Sequence, residues 1–426
     1  MSKLVIPHIH KTLGGAGFFS KISETGEVED IKVNVLEGLR QIEGILIGRR
    51  VFEAPLVISR ICGICPVSHI LNACRALEIA LDVKISPQTE RLRRLITSAQ
   101  LIQSHSAHIF FMSLTDFFDI KGEENLIKKF SKETSAVLDL RDFGLRVIET
   151  VGGRTVHPMT LRVGGFTKVP EKGDLKKILV NYDKAYKAAL MLVKLFETLE
   201  YPQLKRETLY ASSYEENSYP YSQGQKIKIG DEILTRGDFF SNKIEESLKS
   251  FPVKKVLYKK EPYMVGALAR LKNNRNNLDK ESQGFVNSFW KKQGIGEKEF
   301  FTNNFYNIYA QAVEILYLVK QVKKDISALE KEELKPAFVE CKEKKGSGLA
   351  LLEAPRGILM SYLEVGRDGR IADCSIITPT AQYLNNLEAD LVVMIPQIYK
   401  LSKEKKIKRM KTLIRAYDPC VACAVH

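Results

Sequence analysis

The sequence predicts a mainly α protein with small β-hairpins, an α+β fold around a central bundle of long helices. Three observations carry this. Apolar residues recur at three-to-four spacing in a run that starts at Ser86, with Leu92, Leu95, Ile96, Ala99, Ile102 and Ile109 on one face. A second run extends from Asp174, expected as its cap, to Leu199, and a third covers 304–330 with Ile308, Ile315, Val319, Val322 and Ile326 in register. Strand-like alternation is confined to short stretches.

In chain order, 1–85 reads as an N-terminal β and loop region. Val28–Leu36 alternates, with Ile31, Val33 and Val35 on one face, and Gly38 to Gly48 follows as a short helix or turn. Residues 86–205 are helical bundle, with further helix at 126–150. Residues 206–262, rich in Tyr, Ser and Lys, read as a peripheral β-containing excursion whose hairpin is Lys226-Ile-Lys-Ile-Gly-Asp-Glu-Ile-Leu234. The bundle resumes over 263–350, and 331–346 is a solvated connector. In 351–426 a hairpin spans 357–377 around Gly366-Arg-Asp-Gly369, followed by helix at 383–410. No internal repeat interrupts this, and 1–426 reads as a single large domain.

The 426 residues give ample core, and 44% hydrophobic content is that of a globular protein. No apolar run reaches the ~18 residues of a membrane span, so no transmembrane segment is expected. Met1-Ser-Lys-Leu-Val-Ile-Pro-His8 lacks a signal-peptide pattern, which points to the cytoplasm. Net charge is +14, but the lysines are interleaved with acids and no nucleic-acid motif accompanies them. Nucleic acid is therefore not expected as a partner. A solvated lysine-rich surface, or a docking face for an acidic partner such as a ferredoxin, fits the charge.

The chain has seven cysteines. Four fall in two CxxC pairs, Cys62-Gly-Ile-Cys65 within Arg60-Ile-Cys-Gly-Ile-Cys-Pro-Val-Ser-His69, and Cys420-Val-Ala-Cys423-Ala-Val-His426 after Asp418-Pro419. Thiolates are soft ligands that suit nickel, copper(I), zinc or iron, and two pairs can close a four-sulfur site. A redox dithiol and a structural zinc site compete with a reactive centre. Zinc is opposed by the separation of the pairs across nearly the whole chain, by the placement of one pair at the C-terminus, and by the histidine that trails each pair.

At these residues the chain resembles the large, catalytic subunit of nickel–iron hydrogenases, whose two metal-binding signatures look like R-I-C-G-I-C-P-V-S-H and D-P-C-V-A-C-A-V-H. In that family a protease cuts after this histidine, so a chain ending at His426 resembles a processed subunit. A coding sequence that ends there is equally compatible. The resemblance runs from Ile31 to His426, is weakest over 206–262, and is greatest to the cytoplasmic class. It implies the hydrogenase large-subunit fold and reversible, heterolytic cleavage of dihydrogen. It further implies a nickel–iron centre whose iron carries two cyanides and one carbon monoxide. By resemblance Cys65 and Cys423 bridge the metals, and Cys62 and Cys420 bind nickel alone. Arg356, in Glu353-Ala-Pro-Arg-Gly357, would donate to cyanide and serve as base or electrostatic anchor. Pro379 and Thr380, in Thr378-Pro-Thr380, would meet the second cyanide. Asp116 and Asp418 would hold the arginine. Glu43 and His426 would bind magnesium (or iron). His69, His105 and His108 resemble residues packed around the centre.

The chain carries neither an iron–sulfur cysteine run nor a GxGxxG motif. The resemblance therefore implies an iron–sulfur small subunit, and further flavin or iron–sulfur subunits leading to NAD(P) or ferredoxin. Two departures stand out. With the register fixed by His8 and Gly14, Leu13, in His8-Ile-His-Lys-Thr-Leu-Gly-Gly15, occupies the position of the family's proton-accepting glutamate. Either Glu37 or the histidines substitute, or turnover is slow, or the subunit is tuned for something besides fast dihydrogen oxidation. Tyr383 replaces the usual Asn. Cys74, Cys341 and Cys374 fit no ligand pattern and read as buried small hydrophobes. A dihydrogen sensor would use the same centre, and a respiratory scaffold subunit would lack the four cysteines.

Overall fold

The helix that follows the first CxxC pair organises the chain. In the computed structural model, which describes residues 2–118, 120, 122–222, 224–242, 244–247, 253–336 and 338–426, this helix is Pro66–Ala80. Pro66 stands in its first turn, where a fixed φ and a missing N–H cost nothing. The helix is buried nearly all round and packs on the strands Gly346–Ala354 and Gly357–Val365. A Cβ on Gly346 would lie 2.1 Å from Ala80 O, and one on Gly348 would lie 1.9 Å from Ala76 O. Only glycine lets the strand come this close. The reading of 1–85 as β and loop is therefore corrected. A helix buried on every side shows no apolar stripe, so periodicity did not reveal it.

The bundle is made of Pro87–Ala107, Ser131–Gly152, Tyr182–Glu197 and Asn307–Lys331. Ser86 caps the first, its Oγ accepting from Thr89 N at 3.1 Å. Asp174 is not a cap: it lies in the first turn of Lys172–Leu179, pairs with Lys177 at 2.8 Å, and the helix breaks before Tyr182. Beyond Ala107 the first bundle helix widens into a π-turn, His108–Ser113.

Small sheets surround the bundle. Ser2–Ile9, Ala16–Ile22 and Val28–Val35 form an antiparallel meander, of which only the last was legible. Within 206–262 the hairpin Lys226–Ile229 and Glu232–Thr235 forms as expected, in a sheet with Leu209–Tyr214 and Tyr263–Met264. Ser212 and Ser213 of that sheet are buried, so the region is less peripheral than expected. Strands Gly357–Val365 and Ile371–Ile377 form the expected hairpin, with Gly346–Ala354 as an additional partner. Helices Pro379–Ile398 and Lys403–Ala416 lead to the single turn Val421–Ala424. Among the described residues no helix is long and apolar enough to cross a membrane.

Candidate metal centre

Two loops bring the paired cysteines together. Cys62 follows the 3-10 turn Ser59–Ile61, Cys65 immediately precedes Pro66–Ala80, and Cys420 and Cys423 sit on the turn Val421–Ala424. All four are buried, with their sulfurs within 4.8 Å of one another. Cys62 Sγ is 3.7 Å from Cys420 Sγ, Cys65 Sγ is 3.4 Å from Cys423 Sγ, and Cys420 Sγ is 2.9 Å from Cys423 Sγ. Thiolates on one metal, with bonds of about 2.3 Å, lie roughly 3.8 Å apart. Hydrogen bonds from Cys420 first, then Cys423 and Cys65, hold the Cys62 thiol well below its ordinary value. Cys65 and Cys423 are pushed well up, by Cys420 first and by burial in addition. A cluster that keeps one negative charge and resists the next needs a metal cation before all four sulfurs can be thiolates. The donor set fits soft metals.

Two residues tie the chain ends together. Leu13 N donates to Pro419 O at 3.3 Å and Val421 N to Leu13 O at 2.7 Å, forming a short parallel bridge at Cys420. Arg40 donates from Nη1 to Arg60 O at 3.2 Å, from Nη2 to Ile61 O at 2.7 Å, and from Nη2 to Ala422 O. One guanidinium thus joins both cysteine loops.

An enclosed cavity is lined by Cys65, His69, Ala354, Pro355, Arg356, Leu359, Pro379, Thr380, Cys420 and Cys423. Arg356 enters it from a fixed turn. Gly357 has φ +126°, and a Cβ there would strike Val265 at 2.5 Å. The buried Arg270 supports the turn from beneath, donating to Ala354 O at 3.2 Å and Pro355 O at 3.4 Å and pairing with Glu353 at 2.8 Å and Glu314 at 2.7 Å. Arg356 Nε and Nη2 donate to Asp418 O and Asp418 Oδ1, each at 2.7 Å. Asp418 adopts a left-handed φ of 54°, which aspartate tolerates. Burial opposes the Arg356 charge, but Asp418 and the neighbouring sulfurs outweigh it and keep the guanidinium protonated. Its Nη1 is buried without a hydrogen-bond partner among the described residues, a donor free for a ligand in the cavity.

Asp116, expected beside Arg356, pairs with Arg415 at 2.5 Å instead. Burial pushes its carboxyl up against the pull of Arg415. Since Arg415 Nε donates to His10 O at 3.0 Å, Asp116 secures the N-terminal segment rather than the cavity. Thr380 Oγ1 accepts from Cys420 N at 3.1 Å and meets Tyr383 Oη at 3.1 Å. The Tyr383 hydroxyl donates to Asp418 O at 3.2 Å. His69 Nε2 is 3.7 Å from Cys423 Sγ, and burial pulls its ring down to about 4. His105 Nε2 lies 3.0 Å from Glu314 Oε2. His108, on the π-turn, lies 2.6 Å from Gln311 Oε1, and Gln311 Nε2 donates to Asp418 Oδ2 at 3.2 Å. Cys74 and Cys374 are buried, their thiols pushed up to about 12 by burial. Cys341 is only half-buried, contrary to expectation.

Glu43 and His426 do converge, with Glu43 Oε1 3.8 Å from His426 Nε2. Lys254 joins them, donating to Glu43 Oε1 at 2.6 Å and to Ile376 O at 3.2 Å. Burial would raise the Glu43 carboxyl, but the nearby His426 and the Lys254 charge and hydrogen bond bring it down to about 2.

Sequence reasoning missed Arg40, Lys254, Arg270, Gln311 and the contact made by Tyr383. Gln311 left a signal. Asn307, Gln311 and Glu314 make a polar stripe at helical spacing on an otherwise apolar helix, and such a stripe points at buried polar partners. They reach Ala416 O, Asp418 and Arg270 respectively.

A family model described as nickel-dependent hydrogenase matches residues 40–137 and 193–426. The alpha subunit of sulfhydrogenase 1 from Pyrococcus furiosus is 31% identical over 432 residues, covering 99% of this chain and 97% of its own. The alpha subunit of sulfhydrogenase 2 from the same organism is 29% identical over 415 residues, covering 97% and 96%. A crystal structure of an NAD+-reducing NiFe-hydrogenase in the H2-reduced state has the same fold, with TM-score 0.89, 22% identity and full coverage of both chains.

Proposed function

Because this chain belongs to the nickel-dependent hydrogenase family, we propose that it is the subunit at which dihydrogen is split heterolytically into protons and electrons, reversibly. The observation that carries the reading is the convergence of four buried sulfurs from opposite ends of the chain, three of them lining a cavity also lined by Arg356, whose Nη1 is unpartnered. Cys62, Cys65, Cys420 and Cys423 would hold a nickel–iron pair. When bound, the pair, with two cyanides and one carbon monoxide on iron, supplies a Lewis-acidic position for a small ligand.

The chain's own residues do the rest. Arg356 Nη1 would supply a charge-assisted donor to one cyanide, and the backbone N–H of Thr380, in the first turn of Pro379–Ile398, would serve the other. Asp418 orients Arg356, and Gln311, His108 and Tyr383 orient Asp418. The cavity wall of Ala354, Pro355 and Leu359 excludes water.

A proton released at Cys420 leaves through Glu37. Leu13 offers no carboxylate, yet its backbone touches the turn that carries Cys420. Glu37 Oε1 accepts from Gly15 N at 2.9 Å. A Cβ on Gly14 would lie 2.5 Å from that oxygen and 2.9 Å from Ala422 N. The carboxylate thus stands against this turn, between Leu36 and Gly38 on the exposed surface.

Electrons pass to an iron–sulfur subunit. Leu36, Leu39, Ile45, Ile47, Phe52 and Leu56 are all exposed apolar side chains in the stretch leading to Cys62, and exposed apolar surface of this kind marks a protein contact. Further flavin or iron–sulfur subunits would lead to NAD(P) or ferredoxin in a cytoplasmic complex, in keeping with the NAD+-reducing structural relative. Dihydrogen-dependent dye reduction by the nickel-loaded complex tests the reading, and a silent preparation with full nickel content would overturn it. Leu13 favours one second reading, a slow dihydrogen sensor, which the turnover rate separates from an enzyme.

A further inference from the structure

The acidic end of the C-terminal anchor already has a cation, and it is part of the chain. Glu43 Oε1 receives Lys254 Nζ at 2.6 Å and the Ile376 amide at 2.5 Å. Lys254 Nζ also donates to the Ile376 carbonyl at 3.2 Å, the oxygen that His426 Nε2 approaches at 2.9 Å. His426 Nδ1 lies 2.6 Å from Cys423 O. Each imidazole nitrogen therefore faces a carbonyl oxygen, an acceptor-only partner. The Lys254–Glu43 pair is well shielded, its side chains 15% and 23% exposed.

A magnesium-type ion needs near-octahedral oxygen ligands at about 2.1 Å and keeps several waters. The direct ion pair with Lys254 and the Ile376 amide together occupy Glu43 Oε1. The ion pair also sets an ammonium against any dication that enters, an unfavourable contact in a shielded site. The expected magnesium (or iron) does not fit this arrangement. The lysine is held in place by its neighbour: Lys255 pairs with Glu388, whose other oxygen accepts from Val33 N at 3.0 Å.

We infer that Lys254 is the resident cation of this anchor, binding Glu43 and the Ile376 carbonyl in place of a third metal ion. Lys254 shares the Ile376 carbonyl with His426, whose other nitrogen bonds Cys423 O and tethers the turn that carries Cys420 and Cys423, so the metal ligands stay in position without a divalent ion. The inference rests on the reading of those cysteines as metal ligands, and its test is independent of activity.

The nickel-loaded complex, dialysed against EDTA, is analysed for nickel, iron, magnesium, manganese and zinc. Wild type is expected to keep nickel and iron and no third metal. Lys254→Arg, which keeps the charge, is expected to match it. Lys254→Met, supplied with magnesium, is expected to gain about one equivalent per chain and a melting temperature that rises with magnesium. Wild type retaining an equivalent of magnesium or manganese beside its nickel would overturn the inference, as would Lys254→Met keeping wild-type stability with no ion gained. If Lys254→Met does not fold, wild type and Lys254→Arg decide the matter. Wild type without nickel would instead overturn the hydrogenase reading.

Discussion

Arg356 and Asp418 meet in two 2.7 Å hydrogen bonds, one to the Asp418 carbonyl and one to its carboxylate. This clasp uses two guanidinium nitrogens and leaves the third, Nη1, buried and free in the cavity lined by Cys65, Cys420 and Cys423. Replacing Arg356 by Met removes a preorganised charged donor. Dihydrogen oxidation is expected to fall by about 100-fold or more, with nickel content unchanged. Dye-reduction kinetics on metal-quantified protein check this, and activity within a factor of two or so of wild type would remove Arg356 from the mechanism.

The four clustered cysteines and the other three separate cleanly. Serine at Cys62, Cys65, Cys420 or Cys423 is expected to abolish nickel retention, because a hydroxyl is a poor soft-metal ligand. Cys74→Ala is expected to keep full nickel and cost about 1 kcal/mol of stability. Metal analysis and thermal melts distinguish the two groups.

Glu37→Gln keeps the oxygen that accepts from Gly15 N but cannot take a proton. Turnover is expected to drop by about 100-fold, with the metal centre's infrared bands unaltered. Adding Leu13→Glu to this variant is expected to restore much of the rate. An active wild type with an equally active Glu37→Gln variant would exclude the route.

Arg40 joins Arg60 O, Ile61 O and Ala422 O. Hydrogen bonds from a charged group contribute roughly 1.5–3 kcal/mol each. Arg40→Met is expected to lower the melting temperature and speed amide exchange over 420–426, measured by hydrogen–deuterium mass spectrometry. Unchanged exchange there would show that other contacts suffice.

Glu314 is fully buried, and burial alone would raise its carboxyl. The charge of Arg270, with hydrogen bonds from Arg270 and His105, brings it down to about 2. A depressed carboxyl contributes stability above its unfolded value near 4.5 and loses that contribution as pH falls through about 2. Tyr219 and Glu353 complete the cluster. Glu314→Gln is expected to cost about 3 kcal/mol at neutral pH and to flatten the acid limb of the stability curve, measured by denaturant titration across pH.

The site was legible where chemistry is written in short motifs. The two CxxC pairs converge, and Cys65, Cys420, Cys423, Arg356 and Thr380 line one cavity. What escaped lies in contacts between distant segments. Nothing in the sequence around Asp116 says that its partner is Arg415, or around Lys254 that it reaches Glu43. The strand Gly346–Ala354 was hidden by its own glycines, which weaken a strand signal but are what allow it to lie against Pro66–Ala80. Asp174 failed as a cap because the helix starts earlier, at Lys172, and the expected single run is split at residues 180–181.

X-ray absorption at the nickel edge of the purified complex tests the central claim most directly. The account predicts nickel in a shell of sulfur supplied by the four clustered cysteines, with iron as a near neighbour. Nickel surrounded only by oxygen and nitrogen, or zinc standing in that sulfur cage, would contradict it.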